Sequence, residues 1–187
     1  MILKSTRGLH DSLALILDMP EMCDVTFLVG KRHAPIYGVK AILATRSRCL
    51  YQLILQHQRT AEAESSSKKS KKGNRSPLQQ KLVIDMHDYL VEDFRRFITF
   101  VHSGKVKIDA NNVIGLLCAS VEYGFPDLQT ACTKFIQRSQ DRGEGKQILD
   151  SAWNYQHKRV SQKLICKQCC KSTRNLTTLK TGSEKPF

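Results

Sequence analysis

Apolar residues near the N-terminus recur at the spacing of one helix face. At offsets i, i+4, i+7 and i+8 stand Leu9, Leu13, Ile16 and Leu17. Side chains at these offsets lie on the same side of an α-helix. The stripe therefore predicts an amphipathic helix of about ten residues. Pro20 cannot continue a helix and is expected to end it.

Three runs are rich in the β-branched and aromatic residues that favour strands. They cover residues 25–29, 33–37 and 82–84. The first two are separated by a short polar turn and predict a hairpin. Pro35 has no backbone N–H to donate, so it places the second strand at a sheet edge or on a bulge. Val106 and Ile108 predict a fourth short strand.

Helical spacing of apolar residues fills most of the remaining globular part. Helices are predicted over 39–44 and 47–56, from 88–92 to Gly104, from 111–112 to Gly124, and from Pro126 to about 136. Ser47 is expected to cap the second of these helices. A small, mainly three-stranded sheet with a cluster of helices and helical hairpins is an α+β fold.

Composition divides the chain into an N-terminal helical part, 1–22, a globular domain, 23–138, and a tail, 139–187. Within the domain, the insert 57–80 contains almost nothing to bury, which predicts a disordered loop. The tail predicts one short helix over 146–157 and is otherwise expected to be disordered.

The net charge of +13 is concentrated in the insert and the tail. Residues 59–81 hold seven Lys and Arg against two Asp and Glu, and residues 134–187 hold twelve against four. The remainder of the chain holds eleven of each. This distribution suits a charged appendage better than a basic face built into the fold.

A basic patch lies in the insert and comprises Lys68, Lys69, Lys71, Lys72 and Arg75. Such a patch is typical of nuclear-localisation or polyanion-binding segments. The alternative is a solvated loop that keeps the protein soluble. Nucleic acid is therefore a candidate partner of the insert and the tail.

Seven cysteines in a chain without a secretory signal pattern indicate free thiols. In the tail, Cys166, Cys169 and Cys170 are weak candidates for metal ligands. Tetrahedral zinc needs four ligands, and no histidine follows Cys170, so we expect no metal site and no cofactor.

Neither an apolar run of about 18 residues nor a signal-peptide pattern is present, so we expect a protein of the cytoplasm, the nucleus or both, with no membrane partner. Glycine-rich phosphate loops, metal-ligand histidine pairs and nucleophile elbows are also missing from the sequence. We therefore expect no enzymatic activity.

The order of elements over roughly 9–137 resembles the BTB/POZ domain family. Its short markers are matched by Asp24 and Lys40, by Leu43, Ala44 and Ser47, by Phe94 with 102–104, and by Leu117, Ala119, Tyr123, Leu128, Cys132 and Phe135. The family's usual histidine before Lys40 is Val39 here, and the insert interrupts the middle of the domain.

The resemblance implies a non-enzymatic protein-protein interaction module that forms homodimers. It implies that the N-terminal helix is the dimerisation element, through Leu9, Leu13, Ile16 and Leu17, with Asp24 and Lys40 as a buried charged pair at the dimer pocket. The alternatives are plain core packing for the apolar stripe, strand capping for Asp24, and an ordinary surface position for Lys40.

Some members of the family recruit a cullin ubiquitin-ligase scaffold through a hydrophobic-x-Glu triplet after the helix pair. The matching residues, 55–60, contain no such triplet, so a cullin partner is unsupported. The leading hypothesis is a homodimerising adaptor or scaffold. The alternatives are a nuclear transcription-associated regulator that binds nucleic acid through its basic segments, and a cullin substrate adaptor.

Overall fold

A computed structural model describes residues 6–67, 81–141 and 145–166. The helices are α1 (Thr6–Leu15), α2 (Lys40–Arg46), α3 (Arg48–Ser67), α4 (Val91–Ser103), α5 (Val113–Glu122), α6 (Pro126–Asp141), α7 (Gly145–Trp153) and α8 (159–166). The strands are β1 (Val25–Val29), β2 (Ala34–Gly38) and β3 (Leu82–Met86). Two short 3₁₀ helices, Ile16–Asp18 and Pro20–Met22, follow α1.

The described sheet has three strands in the order β2, β1, β3. β1 pairs antiparallel with β2 and parallel with β3, so β2 and β3 are the two edges. Pro35 lies on the edge strand β2, as its missing N–H predicts. The backbone of Asp24 joins the two edges, because its N–H donates to Gly38 and its carbonyl accepts from Leu82.

Helix ends follow the capping signals in the sequence. Ser47 caps α3, since its Oγ accepts a hydrogen bond from the Leu50 N–H at 3.1 Å. Gly104 ends α4 with φ +73°, a left-handed conformation that glycine adopts without a Cβ clash. Before α5, the Asp109 carboxylate accepts the N–H groups of Asn111 and Asn112. An aspartate that the sequence did not single out thus closes the turn before α5, whose N-cap residue Asn112 makes no side-chain capping hydrogen bond.

The core lies between the inner face of the sheet and helices α3, α4 and α5. β1 contributes alternate side chains, Val25, Phe27 and Val29, all fully buried. A cluster of rings fills the centre and comprises Phe27, Tyr89, Phe94, Phe97, Tyr123 and Phe125. α7 packs against α5 and α6 and extends this core.

Three predictions of secondary structure were wrong. Residues 57–67 continue α3 instead of beginning a disordered loop, because they are rich in strong helix formers such as Ala, Glu and Gln. Residues 105–109 form no strand; Val106 and Ile108 are half-buried against the core without a ladder partner. Residues 159–166 of the tail, expected to be disordered, form α8.

Candidate protein-interaction face

The N-terminal segment, residues 6–22, exposes large apolar side chains to an unusual degree. Leu9, Leu15, Met19 and Met22 are 57%, 55%, 45% and 62% exposed. These are four of the nine large hydrophobic residues that are exposed in the described part of the chain. Isolated exposed apolar residues are ordinary, but a concentration in one segment makes that segment a candidate interaction surface.

The predicted stripe divides between this surface and the protein's own core. Leu9 is exposed, whereas Leu13, Ile16 and Leu17 are half-buried. Leu17 packs against the buried core cluster. Of the four predicted residues, only Leu9 faces solvent. The stripe therefore combines a residue packed on the core, Leu17, with an exposed residue, Leu9.

Polar contacts hold the N-terminal segment on the domain. His10 Nδ1 hydrogen-bonds the Ser103 carbonyl at the end of α4, and Lys105 Nζ lies 2.8 Å from Asp11 Oδ1. At the other end of the segment, Lys81 Nζ donates to the Pro20 carbonyl at 2.6 Å. In addition to these polar contacts, α1 packs against α4. The apolar side chains are thus displayed from a positioned segment.

A cleft of about 550 Å³ lies beneath the segment, between it, β2 and α4. Its walls include Leu15, Leu17, Tyr37, Arg95 and Ile98. Leu15, which is exposed, lines the cleft, and β2 beside it is an edge of the sheet formed by the described residues. Together the segment, the cleft and the edge strand form a face that suits another protein chain.

The Asp24 side chain contacts Lys40 by a hydrogen bond to the Lys40 backbone. Asp24 Oδ1 accepts the Lys40 N–H at 2.7 Å, so the carboxylate caps the first turn of α2, where the helix dipole favours a negative charge. Asp24 is exposed and Lys40 is half-buried. Among the ion pairs of the described residues, none joins the Lys40 ammonium to Asp24.

His102, one of the residues matched at 102–104, has a structural role. Its ring is buried, with Nδ1 donating to the Ile98 carbonyl at 2.9 Å and Nε2 accepting from the Val39 N–H at 3.1 Å. Accepting the Val39 N–H requires the neutral imidazole, because the protonated ring has no lone pair at Nε2. Burial lowers the pKa of His102 below its usual value. The ring thereby links α4 to the start of α2.

The buried cysteines are unsuited to nucleophilic chemistry. Burial raises the pKa of the Cys118 and Cys132 thiols to about 12, so both remain protonated at neutral pH. Cys23 is also buried, and burial raises the pKa of its thiol. These side chains act as small apolar groups in the packed interior.

Several predicted site residues lie outside the described residues. They are Lys68, Lys69, Lys71, Lys72 and Arg75 of the basic patch, and Cys169 and Cys170 of the tail. Cys166 is described, at the end of α8, and is exposed. No helix within 6–67, 81–141 or 145–166 has the length and apolarity needed to cross a membrane.

Sequence reasoning missed Leu15, Met19 and Met22. Leu15 lies off the predicted stripe, and the two methionines lie in and around the second 3₁₀ helix, where no helical periodicity extends. The signal that was present is compositional, since the short stretch from Leu15 to Met22 carries several large apolar residues.

Comparison with known proteins agrees with this architecture. The family profile described as BTB/POZ domain matches residues 15–140. The Serine-enriched protein of Drosophila melanogaster is 27% identical over 88% of the chain, and BTB/POZ domain-containing protein 19 of Bos taurus is 24% identical over 70%. The chain covers only 15% and 38% of those two relatives.

Solved structures with a similar backbone include two BTB domains. The BTB domain of zebrafish PATZ1 has a TM-score of 0.48 and 17% identity, covering 74% of this chain and 99% of that one. The BTB domain of human Gigaxonin has a TM-score of 0.45 and 18% identity, covering 72% of this chain and 96% of that one.

Proposed function

The chain belongs to the BTB/POZ domain family, a family of protein-interaction modules, and from this membership we propose that it is a non-enzymatic adaptor or scaffold that forms homodimers through its N-terminal segment. The observation that carries the proposal is the concentration of exposed Leu9, Leu15, Met19 and Met22 in residues 6–22. A second copy would bury these side chains.

The shape and charge of this apolar surface favour contact with a second copy of the chain over binding of a small ligand. The exposed side chains lie along an extended segment rather than around one enclosed pocket, and the adjoining cleft is open beside the edge strand β2. Two copies related by a two-fold axis would present the same apolar surface to each other. The neutral balance of charge outside the insert and the tail leaves little repulsion between two such domains.

The test is the molar mass of the full chain at tens of micromolar, measured by light scattering during gel filtration. We expect a dimer. The double variant Leu15→Glu/Met19→Glu would place carboxylates in an apolar contact, at a cost of several kcal/mol if unpaired. It is expected to elute as a folded monomer.

Val121→Glu is the matched control, because Val121 is an exposed apolar residue on α5, away from the segment. It is expected to leave the dimer intact. A monomeric wild-type chain at tens of micromolar contradicts the dimer proposal. A double variant that remains dimeric rejects the segment as the contact, even if the chain does dimerise.

A second proposed function is nuclear, with the insert and the tail binding nucleic acid. It rests on the confinement of the excess positive charge to 59–81 and 134–187. Binding through lysine and arginine releases counterions, so we expect affinity for DNA to fall steeply with salt. Deleting 68–80 and 167–187 should remove this binding. Affinity that survives the deletion, or is independent of salt, contradicts it.

A cullin partner has less support. The residues where its triplet is expected, 55–60, lie inside α3, and the glutamates that follow, Glu62 and Glu64, also belong to this helix. Neither glutamate completes the required triplet, because the residue two positions before it is polar: Thr60 before Glu62, and Glu62 before Glu64. We propose a location in the cytoplasm, the nucleus or both.

A further inference from the structure

Two histidines and an aspartate converge at one end of the sheet, away from the N-terminal segment. His33 ends the turn between β1 and β2, Asp85 lies on β3, and His87 directly follows β3. Their candidate ligand atoms all lie within 4.8 Å of one another, and all three residues are exposed. Fifty residues of sequence separate the first from the others, so no local spacing motif indicated them.

The topology of the sheet explains why they meet. Asp85 and His87 are two residues apart, so their side chains leave β3 on the same face. At the end of β1, Val29 pairs with Ala34 of β2 and with Met86 of β3. The chain positions just beyond these three residues, at the same end of the sheet, are Gly30, His33 and His87. Gly30 has no side chain to separate the imidazoles, whose ring centroids lie 4.9 Å apart.

The turn holds His33 in an uncommon conformation. Its φ of +50° is left-handed, and it is the sole positive φ among the described residues other than glycine. The His33 N–H donates to the Gly30 carbonyl at 3.1 Å, which closes the turn. Strained backbone of this kind is concentrated at ligand-binding positions. Here it directs the imidazole toward Asp85 and His87.

The distances suit a tetrahedral metal ion. Ligand atoms about 2.0–2.1 Å from zinc are about 3.4 Å from each other at tetrahedral angles. His33 Nδ1 and Asp85 Oδ1 are 3.5 Å apart, which already matches that spacing. With the whole group inside 4.8 Å, the remaining adjustment is about 1 Å, within reach of a rotation of the exposed His87 side chain.

We propose that His33, Asp85 and His87 bind one Zn²⁺ ion, with water at the fourth position. Two imidazole nitrogens and one carboxylate oxygen are ligands that zinc accepts, and a three-residue set leaves one position open. Lys31 and Arg32 precede His33 in the same turn. Both are exposed, so solvent and salt screen their repulsion of the cation.

The tail contains a second set of candidate zinc ligands, the thiols of Cys166, Cys169 and Cys170, and the experiment must separate the two sets. Titration calorimetry with ZnCl₂ is therefore performed on the full chain carrying Cys166→Ser, Cys169→Ser and Cys170→Ser. We expect one Zn²⁺ bound per chain in this background. Long-range nitrogen–proton NMR spectra are expected to show zinc-dependent shifts of the His33 and His87 imidazoles.

His33→Asn together with His87→Ala, in the same background, removes two ligands while asparagine tolerates the left-handed turn. We expect calorimetric binding to be lost, with the thermal unfolding temperature of the metal-free protein retained. His57→Ala, on α3 and outside the group of three candidate ligands, is the matched control and should bind as the background does. Asp85→Asn alone should weaken binding about tenfold or more.

Two results would overturn the proposal. The first is that the background carrying Cys166→Ser, Cys169→Ser and Cys170→Ser binds no zinc at micromolar concentrations. The second is binding that His33→Asn/His87→Ala leaves unchanged, which would assign the metal to other groups. Neither result bears on the dimer proposal, because the site lies at the hairpin turn and the dimer contact is assigned to residues 6–22.

Discussion

Tyr155 donates its phenolic hydrogen to Asp93 Oδ2 across 2.6 Å, inside the protein. The same hydroxyl accepts the Leu90 N–H at 3.2 Å, so it links the start of α4 to the turn after α7. Tyr155 is 1% exposed and lies beyond the residues that match the family profile. The C-terminal helices are therefore anchored in the core of the domain and do not hang from it.

We predict that Tyr155→Phe destabilises the protein by about 1–3 kcal/mol, because it leaves the buried Asp93 carboxylate and the Leu90 N–H without their partner. The ring is retained, so no cavity contributes to the loss. Urea unfolding followed by circular dichroism measures the change. Tyr51→Phe is the control, since Tyr51 is half-exposed on α3 and its substitution should have little effect.

Hydrogen exchange locates the loss. Amides in 145–166 should exchange faster in Tyr155→Phe, since local opening of that segment no longer breaks the buried hydrogen bond. Uniform acceleration over the whole domain, with no excess in 145–166, would contradict the anchoring role of the hydroxyl.

Local sequence signals were sufficient for most of the fold. Apolar spacing predicted α1, α4, α5 and α6, and Gly104 marked a helix end because a left-handed residue there costs glycine nothing. Pro35 correctly predicted an edge strand. These signals act within a few residues of chain. The BTB/POZ fold itself was identified from many such signals in a fixed order.

Contacts between distant segments could not be predicted in this way. The disorder prediction for 57–67 weighed low hydrophobicity and overlooked helix propensity, which favours the continuation of α3. Asp24 was paired with the charge of Lys40, whereas it binds the backbone N–H. The contacts of Tyr155 with Asp93 and of His33 with Asp85 join residues that are far apart in the sequence, so they form only in the tertiary structure.

The ionisation of Asp93 should make stability depend on pH. Burial raises the pKa of Asp93 from 3.8 to about 6, although the hydrogen bond from Tyr155 and the charge of Arg96 oppose the shift. The folded protein therefore binds a proton that the unfolded chain does not hold between about pH 4 and pH 6. This contribution to stability is full below about pH 4 and is lost as the pH rises through 6.

We predict that wild type gains up to about 3 kcal/mol relative to Asp93→Asn as the pH falls from 7 to 4, at 1.36 kcal/mol per pKa unit. His102 contributes in the opposite direction, because its pKa is lowered and stability is lost as the pH falls below about 6.5. Both proteins contain His102, so its contribution cancels in the difference between their unfolding free energies. Urea unfolding at several pH values gives the difference. A value independent of pH contradicts the raised pKa.

Gly115 on α5 lies directly against Asp93. A Cβ added at Gly115 would be 2.6 Å from Asp93 Cβ, a distance that requires α4 and α5 to separate. We predict that Gly115→Ala costs about 1–3 kcal/mol, although alanine favours a helix. Val121→Ala, on the exposed side of α5, should change the unfolding free energy by less than about 0.5 kcal/mol. A stabilising Gly115→Ala would show that helix propensity outweighs the close approach.

Ser47 connects the two halves of the helical layer through one hydroxyl. Its Oγ donates to the Tyr123 carbonyl at 2.6 Å and accepts from the Leu50 N–H, and the side chain is buried. We predict that Ser47→Ala loses about 1–3 kcal/mol, because α3 loses its cap and the end of α5 loses a partner. Thr133→Ala is the control, since its hydroxyl is exposed and bonds only within α6. Equal losses in the two variants, measured by urea unfolding, would mean that the link between α3 and α5 contributes nothing beyond helix propensity.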